Sequence, residues 1–317
     1  MAEGKILVVE DHDILREGLQ ILLEMEGYTV FTAIHGRDAL RQMDRANPDL
    51  ILSDIAMPEM DGYEFYEAVR ARPDWMAIPF VFVTAHGDRD EVFASKRLGV
   101  EDYLVKPINR QDLMAVVHSR LERSQQMLLA QAEKAYEAGL IMLANAIELR
   151  DKYTRGHVER VMELSLRIAR QMGWNQADLR PLRFGSILHD IGKIYISESI
   201  LGKPGALTPD EWVEMRRHTI IGAELLAPIP YLAPAAPVVL SHHERWDGQG
   251  YPHGLKGDEI PPAARIVAVA DCYDAMTTVR VYHNASRVEA AVEEILQNRG
   301  VRYDPAVVDA FMEICSG

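Results

Sequence analysis

Leu188-His189-Asp190-Ile191-Gly192-Lys193 sets the terms for the whole 317-residue chain. An imidazole beside a carboxylate suits a divalent cation, because a neutral ring nitrogen fills one coordination position and an aspartate binds one ion or bridges two. Lys193 lies three residues beyond Asp190 and four beyond His189, so one helical turn would crowd the three side chains onto one side. Metal ligands beside an ammonium group point to phosphate-ester chemistry. A lone His-Asp pair is far more often a surface feature or a helix-end hydrogen bond. The company of this pair changes the reading: His157, His218, His242-His243 and Asp271 follow the same chemical logic.

From Asp151 onward the chain reads as an all-helical bundle. Strand-like alternation nearly vanishes and helix punctuation takes over. Thr208-Pro209-Asp210-Glu211 is a capping box with proline at the first helical position, Ser286 with Glu289 repeats the box, and Asp304-Pro305 opens a last helix. In such a bundle, ligands project inward from several helices. His157 stands at a helix start and His218 follows Arg216-Arg217, where a solvent-facing histidine is the commoner outcome. His242-His243 is harder to dismiss, since two consecutive imidazoles precede a loop of charge, tryptophan and glycine. Asp271 ends the apolar run Ile266-Val267-Ala268-Val269-Ala270. Burying an unpaired carboxylate there would be costly, and a cation would relieve the cost.

The string His242-His243-Glu244-Arg245-Trp246-Asp247-Gly248-Gln249-Gly250-Tyr251-Pro252, with His189-Asp190 and Asp271 in order around it, resembles the HD-GYP family of cyclic di-GMP phosphodiesterases from about Ala144 to Thr278. That resemblance implies that His157, His189, Asp190 and Asp271 hold one ion, with Asp190 bridging to a second held by His218, His242 and His243. Mixed nitrogen and oxygen ligands suit iron or manganese. Two metals would activate water for in-line attack on phosphorus. Asp190 and Lys193 are the expected catalytic residues, the lysine neutralising phosphoryl charge. Arg280 matches a family arginine near the substrate phosphate, and Gly250, Tyr251 and Pro252 supply the signature loop. Tyr251 would either pack on a guanine base or brace the loop, and bracing is favoured. Three positions depart from the family pattern. Tyr153 stands four residues before His157, where members binding three metals carry glutamate, so two ions are expected. Val281 and His283 replace the usual proline and basic residue after Arg280, which would weaken phosphate binding or tune it to another dinucleotide.

Ahead of this bundle, short apolar runs alternate with amphipathic stretches, the pattern of a parallel sheet covered by helices on both faces. Strands are expected at Lys5 to Glu10, Tyr28 to Ala33, Asp49 to Asp54, Phe80 to Thr84 and Asp102 to Val105. Helices are expected at His12 to Met25, Arg37 to Ala46, Tyr63 to Ala71, Arg89 to Leu98 and from Arg110 onward. Polar residues gather where such strands end: Glu10 and Asp11, Asp54, Thr84, then Lys106. Three carboxylates, a hydroxyl and a lysine at one rim would hold Mg²⁺ beside a nucleophilic aspartate. The set, with Asp54-Ile55-Ala56-Met57-Pro58-Glu59-Met60-Asp61-Gly62 and Lys106-Pro107, looks like the receiver domain of two-component response regulators. By position Asp54 would accept phosphate, Glu10 and Asp11 would hold Mg²⁺, and Thr84 and Lys106 would contact the phosphoryl group. Tyr103 matches the aromatic that reorients on activation, and the Lys106-Pro107 bond is expected to be cis.

Between the two halves, Gln111 to Arg150 contains no proline and Gly139 as its one glycine. Leu121, Leu128, Ala135, Met142 and Leu149 recur every seven residues. They fit either a helix packed on its own domain or a stripe that pairs with a second copy in a homodimer. The expected division is a flavodoxin-like doubly wound receiver at 1–123, a helical linker at 124–150 and an all-α HD-type domain at 151–317. A net charge of −14 argues against nonspecific DNA or RNA binding, which draws on clustered lysine and arginine. Cys272 and Cys315 make no disulfide framework, and neither a signal peptide nor a membrane-length apolar run is apparent, so a cytoplasmic protein is expected. The two resemblances together imply a response regulator, driven by a cognate histidine kinase, that hydrolyses cyclic di-GMP to pGpG, with some members of the family proceeding to GMP. A GGDEF-type partner could bind the GYP loop. The rivals are a noncatalytic module that binds cyclic di-GMP or a protein, a hydrolase of a related dinucleotide such as cyclic GMP-AMP, and a general HD-type nucleotidase, which the GYP stretch disfavours.

Overall fold

The computed structural model describes residues 4–85, 102–151, 156–277 and 288–316. The chain forms two compact units, Met1–Glu133 and Lys134–Gly317. In the first, five parallel strands run in the order β2-β1-β3-β4-β5: β1 Lys5–Val9, β2 Thr29–Ala33, β3 Leu50–Asp54, β4 Phe80–Thr84 and β5 Asp102–Val105. This is the doubly wound order expected of a flavodoxin-like receiver. Alternation sorts the strand residues onto two faces. Leu7, Val9, Ile51, Phe80 and Phe82 pack with residues of α2 (Gly36–Ala46) and α3 (Gly62–Arg70). Ile6, Val8, Leu50, Leu52, Val81 and Val83 pack with α1 (Asp13–Met25) and with Leu113 and Val117. Both faces being covered, the central strands β1, β3 and β4 read as continuous apolar runs. The helix expected at Arg89 to Leu98 lies outside the described residues.

Leu113 and Val117 open α4, a single helix over Arg110–Glu148 that ends in a 3-10 turn at Leu149–Asp151. Of its sevenfold series, Leu128 and Met142 are exposed, as is Leu149 in the following turn, while Ala144 and Ile147 on another face are buried in the helical unit. That unit continues with α5 (His157–Gln171), α6 (Gln176–Leu188), a 3-10 turn at Ile191–Tyr195, α7 (Glu198–Leu201), α8 (Pro209–Leu226), α9 (Ala236–Ser241), α10 (Pro262–Thr277), α11 (Val288–Gln297) and α12 (Pro305–Ser316). The Thr208 hydroxyl accepts from the Glu211 backbone N–H in a complete capping box, and Asp304 accepts from the Ala306 N–H. Ser286 lies outside the described residues. One core joins α5, α6, α10, α11 and α12 around Phe311 and Tyr303; a second joins the end of α4 to α6, α8 and α9 around Phe184 and Val239. No helix among the described residues is long and apolar enough to cross a membrane.

Candidate metal centre

The His-Asp pair sits where α6 gives way to the 3-10 turn, a tighter geometry than the α-helical turn the spacing suggested. Lys193 N–H donates to the Asp190 carbonyl at 2.9 Å, and its Nζ reaches Asp190 Oδ2 at 2.7 Å. Gly192 makes this turn possible. A Cβ there would stand 1.9 Å from the His218 carbonyl oxygen, so only glycine lets the turn lie against α8. The sequence thus brings His218 to Asp190 by removing a side chain between them.

Around Asp190 the other ligand candidates close in from five elements. His218 Nε2 lies 3.3 Å and His242 Nε2 4.0 Å from Asp190 Oδ1, while His189 Nε2 is 3.4 Å from Oδ2. Asp271 Oδ1 is 3.5 Å from His157 Nε2 and 4.0 Å from His189 Nε2. Two groups able to hold a metal result, Asp190 with His218, His242 and His243, and His157 with His189 and Asp271. Ligands bonded at about 2.1 Å to one ion stand roughly 3–3.5 Å apart, close to these separations. Asp190 turns one oxygen to each group, the arrangement a bridging carboxylate needs.

The ring tautomers follow from what lies behind each imidazole. His189, His218 and His242 present Nδ1 to the carbonyls of Ser186, Met215 and Val239 at 2.7–2.8 Å, each three residues back. A carbonyl only accepts, so Nδ1 carries the proton and Nε2 keeps its lone pair. His157 Nδ1 meets the Asp274 carboxylate at 2.6 Å, and Arg160 grips the same carboxylate at 2.5 Å. Among the described residues, the Nε2 atoms of His189, His218 and His242 and Asp190 Oδ1 are buried with no hydrogen-bond partner. Four such polar atoms aimed at one space are costly unless something electropositive sits between them. Divalent cations fit that donor set.

Electrostatics agree. Burial pushes His218 down and His242 and His243 well down from the ordinary histidine range, keeping them neutral and able to donate lone pairs. Burial opposes charge on His189 too, but the Asp190 carboxylate overrides it and raises the imidazole to about 9. Burial likewise works against ionised Asp190, yet Lys193 and His189 hold it well below the carboxylate range.

Several contributors were not visible in sequence. Glu148, at the end of α4, is buried with Oε1 3.6 Å from His157 Nε2, and it forms a third group with His157 and Asp190. Burial raises its carboxyl to about 7, against the pull of His157. It lies nine residues before His157 with a turn between, so no helical spacing linked them. Asp274 follows Asp271 by three residues on α10, and that spacing could have flagged it. Tyr153, Arg280, Val281 and His283 lie outside the described residues.

The signature loop closes over this cluster. Buried Glu244 accepts from the backbone N–H groups of His253 and Leu255 at 2.8 and 3.0 Å, folding the loop back on itself. A Cβ on Gly250 would come within 2.4 Å of the Arg245 nitrogen. The Tyr251-Pro252 bond is cis, and the Tyr251 ring lies 4.8 Å from the His243 ring at 33°. Tyr251 therefore packs against the imidazole of one of the candidate metal-binding groups. Beside it opens a cleft of about 330 Å³ that reaches Asp271, His242 and His243.

In the first unit Glu10, Asp11 and Asp54 also come together at the strand ends. Lys106 Nζ lies 2.8 Å from both Asp54 Oδ2 and Glu10 Oε2. The Lys106 N–H donates to the carbonyl of buried Thr84 at 2.8 Å, which ties β5 to the end of β4, and Lys106-Pro107 is cis. A Cβ on Gly62 would collide with the Asp54 carbonyl at 2.3 Å, which accounts for glycine eight residues after the aspartate.

A parallel-sheet phosphoacceptor-type unit followed by a helical bundle of converging histidines and aspartates defines a response regulator with a metal-binding output domain. The response regulator receiver domain model matches residues 6–118 and the HD domain model residues 141–307, and the chain belongs to the HD-domain family. A cyclic di-GMP phosphodiesterase of Thermotoga maritima is 37% identical, over 98% of this chain and 90% of its own. The cyclic di-GMP phosphodiesterase response regulator RpfG of Xanthomonas campestris pv. campestris is 38% identical, over 97% of this chain and 86% of its own. A 3'3'-cGAMP-specific phosphodiesterase 2 of Vibrio cholerae is 38% identical, over 54% of this chain and 33% of its own.

Proposed function

We propose that the chain is a response regulator whose helical domain hydrolyses cyclic di-GMP to linear pGpG. The observation that carries this reading is the convergence of buried, tautomer-fixed imidazoles on the two oxygens of Asp190. Full-length similarity to relatives named for that activity supports the substrate. His157, His189, Asp190 and Asp271 would hold one ion; His218, His242 and His243, with Asp190 between, would hold a second. Iron or manganese suits the donors. Bound there, the pair supplies Lewis-acid activation of water and neutralises phosphoryl charge. Lys193, fixed on Asp190, presents an ammonium group at the same oxygens and stabilises charge developing on the phosphate. Asp274 and Arg160 hold the His157 ring in one orientation. Tyr251 packs on His243 and, with Gly250, walls the cleft that admits substrate, Pro252 completes the loop, and Arg280 is assigned as an additional phosphate contact.

Receiver phosphorylation at Asp54 by a cognate histidine kinase, with Mg²⁺ on Glu10, Asp11 and Asp54 and with Thr84 and Lys106 at the phosphoryl group, would set the activity. The continuous α4 is the element that carries the signal onward. Its exposed Leu128 and Met142, with Leu149 just beyond its end, suit pairing with a second copy. The domains are assigned as 1–123, 124–150 and 151–317, in a cytoplasmic protein whose GYP loop is open to a GGDEF-type partner. The test is chromatography of products from cyclic di-GMP with protein purified and iron-loaded under anaerobic conditions: pGpG is expected, and binding without turnover would favour the noncatalytic alternative.

A further inference from the structure

The cleft beside His242 and His243 contains a constellation that metal binding leaves unused. Trp212 and Arg216 are four residues apart on α8, hence on one face of the helix that also carries His218. The Arg216 guanidinium carbon lies 5.8 Å from the Trp212 ring centre and 5.0 Å from the Tyr251 ring centre. Both α8 side chains line the cleft and both are exposed, Trp212 to 45% despite its large apolar indole. Among the described residues Arg216 makes no ion pair, whereas Arg245 in the same cleft is held by Asp247 at 2.7 Å. A guanidinium lying over ring faces keeps its N–H edge for an in-plane acceptor pair.

We propose that Trp212, Arg216 and Tyr251 form a guanine-reading platform at the edge of the metal centre. Trp212 offers a stacking face, and Arg216 donates two parallel hydrogen bonds to O6 and N7 of one guanine. Adenine has an acceptor at N7 but a donor amino group in place of O6, so it cannot take both bonds. Arg216 therefore sets base preference, and does so from the helix that positions His218. The inference rests on a cyclic guanine dinucleotide being the substrate, and it names the residue that selects the base.

The test is calorimetric binding of hydrolysis-resistant phosphorothioate analogues of cyclic di-GMP and cyclic di-AMP to metal-loaded full-length protein, wild type against Arg216→Gln, Arg216→Lys and Trp212→Ala, with metal content checked for each. Arg216→Gln is expected to lose about ten- to a hundredfold in affinity for cyclic di-GMP while cyclic di-AMP changes little. Arg216→Lys, lacking the planar fork, should recover only part of the preference, and Trp212→Ala should weaken both ligands. Equal weakening of both ligands by Arg216→Gln would assign the guanidinium to phosphate and overturn the proposal, as would no change in either. A wild type that binds the analogues with guanine preference yet does not hydrolyse cyclic di-GMP itself would instead sink the enzymatic reading and leave the platform standing.

Discussion

Asp190 holds the site together because its two oxygens face different imidazole groups and its charge is stabilised by Lys193. Asp274 acts one step back, fixing the His157 proton on Nδ1 so that Nε2 stays available. Replacing Asp274 with Asn leaves a neutral partner that can hold either tautomer. Asp274→Asn is expected to lower metal affinity roughly 10- to 100-fold, read by competition with a chromophoric chelator, with the helical circular dichroism retained. Unchanged affinity would remove Asp274 from the positioning role. At this scale the sequence disclosed the histidines and aspartates through residue type and motif. It hid Glu148, whose approach to His157 depends on the turn after α4 rather than on any periodic spacing.

Glycines and helix ends bring the site's elements into register. Gly192 permits the 3-10 turn to touch α8 at the His218 carbonyl, and an alanine there must push the two apart. Gly192→Ala is expected to cost about 1–3 kcal/mol by overpacking, measured by denaturant unfolding, and to reduce bound metal as His218 moves off Asp190. Wild-type stability and metal content would show that the turn yields without consequence. For α4, charge on the exposed stripe should oppose pairing. Leu128→Glu with Met142→Glu is expected to shift the protein to monomer in analytical ultracentrifugation, and a monomeric wild type would refute the pairing. The strands were legible because buried parallel strands are apolar runs ending in polar residues. The capping box at Thr208 and the Asp304 helix start were legible for an equally local reason. The 3-10 turn at Ile191–Tyr195 was not, since it answers to packing against α8 rather than to its own residues.

Across the whole molecule, a phosphoacceptor-type site and a metal-type site occupy separate compact units of one chain. Cation binding should stabilise the helical unit, because it relieves buried lone pairs that the fold leaves facing one another. At free metal a hundredfold above Kd that amounts to about 2.7 kcal/mol, so chelation should lower the helical unit's Tm in calorimetry. A helical transition indifferent to chelator would mean that the imidazoles are satisfied without metal. Acetyl phosphate should change turnover in wild type and not in Asp54→Asn; equal rates in every case would uncouple the two units.

The central claim, phosphodiester hydrolysis at a centre shared through Asp190, is tested most directly by comparing wild-type and Asp190→Asn turnover of cyclic di-GMP under anaerobic, metal-loaded conditions. The wild type is expected to release pGpG, and the folded variant to be slower by about two orders of magnitude or more, through loss of the carboxylate charge between the two imidazole groups and of the Lys193 anchor. Hydrolysis by Asp190→Asn at the wild-type rate would contradict the account.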